Sequence, residues 1–281
     1  MNRSMLPLRK YFEFVRFSHT VFALPFALAA MFAAGWPGWR TFGLILAAMV
    51  CARTAAMGWN RIVDERFDAQ NPRTKERHLP AGKIGRMEAW MIVAGSAAGL
   101  ILVCWFINQI CFWLSPVALM VIGFYSFTKR FTNFSHFVLG LSLALAPLGA
   151  WLAVTGKFAW APVVLAVAVV FWLVGFDIIY ATQDVEFDRQ VGLHSLPAKA
   201  GIPAALRMAQ AAHAVMALAL LAFGLISRRQ WPYYVGWTVI VACLIWQHFL
   251  ARKQDPVSLN AAFFRMNAII SVVFLLAVVF G

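Results

Sequence analysis

Nine apolar stretches follow one another along the chain, at residues 18–35, 42–61, 87–107, 110–127, 134–154, 159–181, 207–226, 232–250 and 263–280. Each approaches or exceeds the length a helix needs to cross a hydrocarbon core of about 30 Å at about 1.5 Å per residue. Only Asn108, Gln109 and a short turn separate the third stretch from the fourth. Backbone groups in lipid must be satisfied within the segment, and a helix does this. The pattern therefore predicts an all-α, multi-pass membrane protein with about nine transmembrane helices. Composition agrees: 62% of residues are hydrophobic and 12% charged, the latter about half the share usual in soluble domains.

The charges also give an expected orientation. Residues 1–17 carry Arg3, Arg9, Lys10 and Arg16 ahead of the first apolar run, which lacks a small-residue cleavage pattern. This predicts an uncleaved first span with the N-terminus in the cytoplasm. On that topology four cations fall in outer loops (Arg40, Lys157, Arg228, Arg229) and Arg53 falls within a span, while the other nineteen of 24 lie inside. No acidic residue falls in an outer loop. A formal charge of +13 in a soluble chain would suggest nucleic acid. Here it is explained by positive-inside sorting, and no nucleic-acid partner is expected. Cys51, Cys104, Cys111 and Cys243 lie in apolar segments without metal-ligand spacing. They read as small hydrophobes with no disulfide or redox role.

Against this apolar background one motif stands out. Asp64-Glu-Arg-Phe-Asp-Ala-Gln70 recurs as Asp184-Val-Glu-Phe-Asp-Arg-Gln190, 120 residues later, and each copy is followed by Leu-Pro-Ala (Leu79–Ala81, Leu196–Ala198). The chain has only eleven acidic residues, and four of them form these two DxxxD pairs. Positions i and i+4 share a helix face, so each pair points two carboxylates the same way. The pairs fall in the two long polar loops, residues 62–86 and 182–206, at corresponding places in the pattern. The expected organisation is one membrane domain over residues 1–281, built from two related helical units.

The stripes run deeper than the carboxylates. Arg53, Asn60, Asp64 and Asp68 are spaced 7, 4 and 4 residues apart, and Asp177, Tyr180 or Ala181, Asp184 and Asp188 form a similar row. A charge within a span is costly, so Arg53 and Asp177 should face a polar or aqueous cavity. Asp64, Asp68, Asp184 and Asp188 suit Mg²⁺, which takes oxygen ligands and commonly bridges carboxylates to substrate phosphates. Arg77, Lys129 and Arg130 lie next to these segments and suit a diphosphate. Most other loop cations read as topology determinants or contacts to anionic lipid.

With these residues in view the chain resembles the UbiA superfamily of intramembrane prenyltransferases. One signature is similar to Asn60-xxx-Asp64-xxx-Asp68 followed by Arg77-His78-Leu79-Pro80-Ala81-Gly82, and another to Tyr180-xxx-Asp184-xxx-Asp188-xxx-Gly192 with Ser195 shortly after. Tyr125, Lys129 and Arg130 match a Tyr-xxx-Lys-Arg element after the fourth span, and Arg53 matches an Arg seven residues before the Asn. The segments from Phe17-Ser-His19 to Pro25 and from Gly175 to Asp188 look most like the UbiA-like branch of the futalosine menaquinone route. Arg61 is a departure, standing where many 4-hydroxybenzoate enzymes carry Asp.

The resemblance implies nine helices around a central cavity capped by the acidic loops. It also implies Mg²⁺-dependent transfer of a polyprenyl group from its diphosphate to a ring carbon of 4-hydroxybenzoate or 1,4-dihydroxy-6-naphthoate. In that frame Asn60 joins the metal ligands, and Tyr125 and Tyr180 join the substrate-binding residues. The mechanism expected is diphosphate departure aided by metal and cations, then ring attack on an allyl cation in a dry cavity. Asp177 is the candidate for orienting or deprotonating the acceptor. Arg53 is the candidate for its carboxylate, with Arg16 as a second. Other acceptors in the superfamily include haem, chlorophyll and glycerolipid types. From a different class, a cation-coupled transporter would also have duplicated halves and intramembrane charges. Transporter sites, however, lie near the midplane, whereas these carboxylates gather at one surface.

Overall fold

The computed structural model describes residues 10, 11, 13–15 and 20–281, which contain helices and no strands. The transmembrane series begins with α1 (Thr20–Ala34), α2 (Gly38–Gln70), α3 (Arg86–Ile107), α4 (Gln109–Thr128), α5 (Ser135–Thr155) and α6 (Trp160–Ala181). A 3₁₀ turn (Thr182–Asp184) then leads into two short helices, α7 (Val185–Gln190) and α8 (Leu196–Ala200). The series closes with α9 (Ile202–Ile226), α10 (Trp231–Ala251), α11 (Pro256–Asn260), a π-helical turn (Ala261–Met266) and α12 (Asn267–Phe280). Eight segments are long and apolar enough to cross a bilayer, and α1 is a shorter apolar helix beside them. Every apolar stretch is thus helical over its described residues, the first of them from Thr20 onward.

Large apolar side chains stand exposed along these helices, among them Trp39, Trp105, Trp113, Trp160 and Trp231. So much exposed apolar surface marks a lipid-facing protein. Trp39 and Trp160 sit at the helix ends remote from the acidic motif of their own helix, where an indole meets the interface.

The chain divides into two compact units. The first contains residues 39–127 with the N-terminal residues, and the second contains residues 21–38 and 128–281. In the first, α2 and α3 approach closely through small residues: a Cβ on Gly58 would meet Val93 at 2.7 Å, and one on Gly99 would meet Cys51 at 3.1 Å. Trp59 joins α4 by donating its indole N–H to the Gly123 carbonyl at 3.0 Å. All four cysteines are free thiols, as the sequence suggested.

In the second unit, the core is an aromatic cluster. Phe26 of α1 packs on Trp172 of α6 and Phe274 of α12, with ring centroids 4.6 Å and 4.8 Å apart. A Cβ on Gly140 of α5 would lie 2.8 Å from the Val170 carbonyl oxygen, so only glycine permits this approach of α5 to α6. The π turn displaces backbone acceptors, and side chains satisfy them. Gln247 donates to the Ala262 carbonyl (2.9 Å) and Asn267 to the Phe263 carbonyl (2.7 Å). Trp172 in turn donates to the Asn267 amide oxygen at 2.8 Å.

Candidate functional site

The first acidic motif lies on helix, not loop. At 33 residues α2 is longer than a bilayer requires, roughly 50 Å against a core of about 30 Å. Nothing in Asp64–Gln70 breaks a helix; the break comes at Asn71-Pro72, because the residue before proline disfavours the α conformation. Residues 71–85 then fold back. Asn71 accepts from the Arg73 amide (2.9 Å), and Gly82 takes a φ of +66°. Leu79 and Ile84 bury into a cluster with Phe14, Val15 and Ala89. His78 packs edge-on against Phe14, and burial holds its imidazole below the ordinary range.

This loop places Arg77 on Asp68, with Nη1 donating to Oδ1 at 2.5 Å. Thr74 donates its hydroxyl to the Asp68 backbone carbonyl at 3.1 Å. Arg61 lies 3.7 Å from Asp68 Oδ2 and is only 4% exposed. The residue that seemed only to remove a carboxylate therefore adds a second cation to Asp68. Four residues up the helix, Asn60 donates its amide to Asp64 Oδ2 at 2.8 Å. Arg53 continues the stripe, partly buried.

The second motif is built differently. Helix α6 ends at Ala181, and the 3₁₀ turn carries Asp184 into α7. A Schellman-type closure ends α7: Gly192 has a φ of +70°, and the Leu193 amide donates to the Asp188 carbonyl at 2.8 Å. Ser195 then caps α8, accepting from the Ala198 amide at 3.3 Å. Its buried hydroxyl donates to the Asp188 carboxylate, and Lys129, Asp184 and His136 act electrostatically on that carboxylate. The His194 amide donates to the Lys129 carbonyl at 2.8 Å, tying the segment after α4 to the second motif. Asp188 Oδ2 is buried and has no hydrogen-bond partner among the described residues. Tyr180 lies against Phe263, with centroids 4.2 Å apart.

Asp177 has a partner not foreseen in the sequence. Its Oδ2 lies 2.6 Å from Nδ1 of His136, which is 0% exposed. Lys129 also acts on Asp177. The expected site residues thus form four groups: Asn60 with Asp64; Asp68 with Arg77 and Arg61; Asp184 and Asp188 with Lys129; and Asp177 with His136. Arg130 is exposed, and Tyr125 lies partly buried near the end of α4. Arg16, and with it His19, lies outside the described residues.

No cluster of three or more His, Cys, Asp or Glu that could hold a metal occurs among the described residues. Each unit nevertheless offers a carboxylate whose chemistry suits a hard cation. Among the described residues Asp188 Oδ2 is buried without a hydrogen bond, and Asp68 Oδ2 has only Arg61 at 3.7 Å, an arrangement that is costly unless a ligand satisfies it.

The fold defines a class: a polytopic helical membrane protein carrying an aspartate pair in each of its two units. Residues 23–269 match the UbiA prenyltransferase family. The chain belongs to that family and is a prenyltransferase, which sets aside the transporter reading. It is 32% identical over 240 residues to a 4-hydroxybenzoate octaprenyltransferase from Cupriavidus necator, covering 84% of this chain and 83% of the relative. It is 31% identical over 235 residues to one from Pseudomonas aeruginosa, covering 82% and 77%. Among solved structures, a UbiA homologue from Aeropyrum pernix superposes with a TM-score of 0.85 at 28% identity, covering 92% of this chain and 96% of that one. A homologue from Archaeoglobus fulgidus bound to GPP and Mg²⁺ has the same fold, with a TM-score of 0.75 at 21% identity over 96% and 99%.

Proposed function

We propose that the chain transfers a polyprenyl group from polyprenyl diphosphate to a ring carbon of a hydroxylated aromatic carboxylate, 4-hydroxybenzoate or 1,4-dihydroxy-6-naphthoate, in ubiquinone or menaquinone biosynthesis. The observation that carries this reading is Asp188, a buried carboxylate with one unsatisfied oxygen beside Lys129 and Asp184. Such an arrangement is costly by itself and suits a cation with its phosphate. The relatives named 4-hydroxybenzoate octaprenyltransferase support the acceptor class. The excess of cations on one side of the spans supports an inner-membrane protein with its N-terminus and acidic segments in the cytoplasm.

Asp64, Asp68, Asp184 and Asp188, with the Asn60 amide oxygen, would hold Mg²⁺, which when bound neutralises charge developing on the departing diphosphate. The chain's own groups do the rest. Lys129, Arg130 and Arg77 donate to diphosphate oxygens, with Tyr125 and Tyr180 as further substrate contacts. Arg53 takes the acceptor's carboxylate. Apolar walls exclude water, which would otherwise consume the allyl cation.

The test is a competition. Membranes containing the protein receive polyprenyl diphosphate and Mg²⁺ with both aromatic acids together, and products are weighed by mass spectrometry. One prenylated acid should dominate. Diphosphate consumption without either product would overturn the acceptor assignment.

A further inference from the structure

His136 has one ring nitrogen held and the other left open. Its Nδ1 lies 2.6 Å from Asp177 Oδ2, and the side chain is wholly buried. A carboxylate only accepts, so Nδ1 carries the proton and Nε2 presents its lone pair. Nε2 is buried and has no hydrogen-bond partner among the described residues. An unmet polar atom of this kind costs about 1–3 kcal/mol. The unmet lone pair is therefore a place for a donor brought in from outside.

Its position narrows the choice of donor. His136 lies in the first turn of α5, just after Lys129 and Arg130, and acts electrostatically on Asp188. Asp177 precedes Asp184 by seven residues along α6 and its 3₁₀ extension, about 10 Å of helix rise. A diphosphate held at Asp184 and Asp188 would sit at the end of the same helical run that carries Asp177. A group offering an O–H at that depth is the reacting end of a phenol.

We infer that His136, oriented by Asp177, receives the phenolic hydroxyl of the acceptor at Nε2 and takes its proton as the ring attacks. This rests on the prenyl-transfer reading above. The allylic C–O bond breaks with its electron pair leaving on diphosphate. A C–C bond forms from the ring carbon ortho to the hydroxyl, while the O–H electrons become the carbonyl of a dienone and the proton moves to Nε2. Loss of the ring C–H proton restores aromaticity, and Nε2 returns its proton to oxygen. The net release is one proton and diphosphate. His136 is a catalytic residue on this account, and Asp177 is its positioning residue.

The test uses full-length protein in detergent with whichever of 4-hydroxybenzoate and 1,4-dihydroxy-6-naphthoate it prenylates, and a series of ring-fluorinated analogues of that acid whose phenols are progressively more acidic. Wild type, His136→Gln and Asp177→Asn are compared at saturating polyprenyl diphosphate. The ratio of wild-type to variant kcat cancels the intrinsic reactivity of each ring. For the unfluorinated acid the ratio for His136→Gln should be about 10²–10³. It should shrink steadily as the phenol needs less help to ionise, with KM for polyprenyl diphosphate unchanged. A ratio near one, or one that stays constant across the series, overturns the inference. Should His136→Gln fail to fold by its thermal midpoint, Asp177→Asn, which upsets the tautomer, carries the same comparison. If wild type prenylates neither 4-hydroxybenzoate nor 1,4-dihydroxy-6-naphthoate, the proposed function falls instead, so the two failures are distinct.

Discussion

Removing Arg77 tests how the first acidic motif is held. Arg77 makes a 2.5 Å charge-assisted bond to Asp68 Oδ1, and the Asp68 side chain is 8% exposed. Such a bond contributes about 1.5–3 kcal/mol. Stripping a buried charge of its only partner costs more, about 3–5 kcal/mol. The lower figure applies here, because Arg61 stays 3.7 Å from the other oxygen and partly compensates the charge. Arg77→Met should therefore lose about 1.5–3 kcal/mol. Asp68→Asn should lose a similar amount, and the double variant little more than either. The assay is a double-mutant cycle by denaturant unfolding in detergent, with hydrogen exchange read over residues 71–85. Exchange there should rise in Arg77→Met, because Asp68 anchors that loop through both its carboxylate and its carbonyl. Losses that add to within about 0.5 kcal/mol would show that the two side chains do not act as a pair and would refute the reasoning.

Three further outcomes are expected. Asp64→Ala or Asp184→Ala should each abolish Mg²⁺-dependent diphosphate release from a polyprenyl diphosphate; retained turnover in both variants sinks the ligand assignment. Gly140→Leu forces side-chain atoms into the Val170 backbone, where even a Cβ would sit 2.8 Å from the carbonyl oxygen. It should destabilise by at least about 1–3 kcal/mol, lowering the thermal midpoint, whereas an unchanged midpoint would mean that α5 and α6 do not pack through this glycine. Asp255 caps α11, and the Ser258 backbone N–H, at 2.8 Å, holds its carboxyl below the usual range. A carboxyl so depressed contributes stability that is present above its unfolded value near 3.9 and fades as pH falls through the lower folded value. Asp255→Asn should therefore flatten the pH dependence of unfolding below about pH 4, and parallel profiles would contradict it.

How much of this was legible beforehand differs from element to element. The apolar stretches foretell the helices because bilayer thickness imposes the length and no tertiary partner is needed. The end of the second helix reads poorly from hydropathy, which falls off near residue 61, while helix continues to Gln70 because nothing breaks it before Asn71-Pro72. The aspartates, Asn60, Arg77 and Lys129 could be found from spacing and charge sign. His136 could not. It lies 41 residues from Asp177, and its role depends on α5 and α6 meeting through Gly140. Arg61 was visible only as a missing acid, since its value lies in a contact with Asp68 seven residues on. The π turn escaped for the same reason, as its carbonyls are satisfied by Gln247 on another helix.

The uninterrupted run of α2 through Asp68 makes the first aspartate pair a rigid extension of its transmembrane rod. The second pair hangs from α6 by a 3₁₀ turn. A rod tilts when the bilayer around it becomes thinner or thicker. Tilt of α2 would sweep Asp64 and Asp68 sideways with little damping, while the turn before Asp184 can absorb tilt of α6. Turnover compared in vesicles of graded acyl-chain length, with both substrates saturating, would register that difference in mounting.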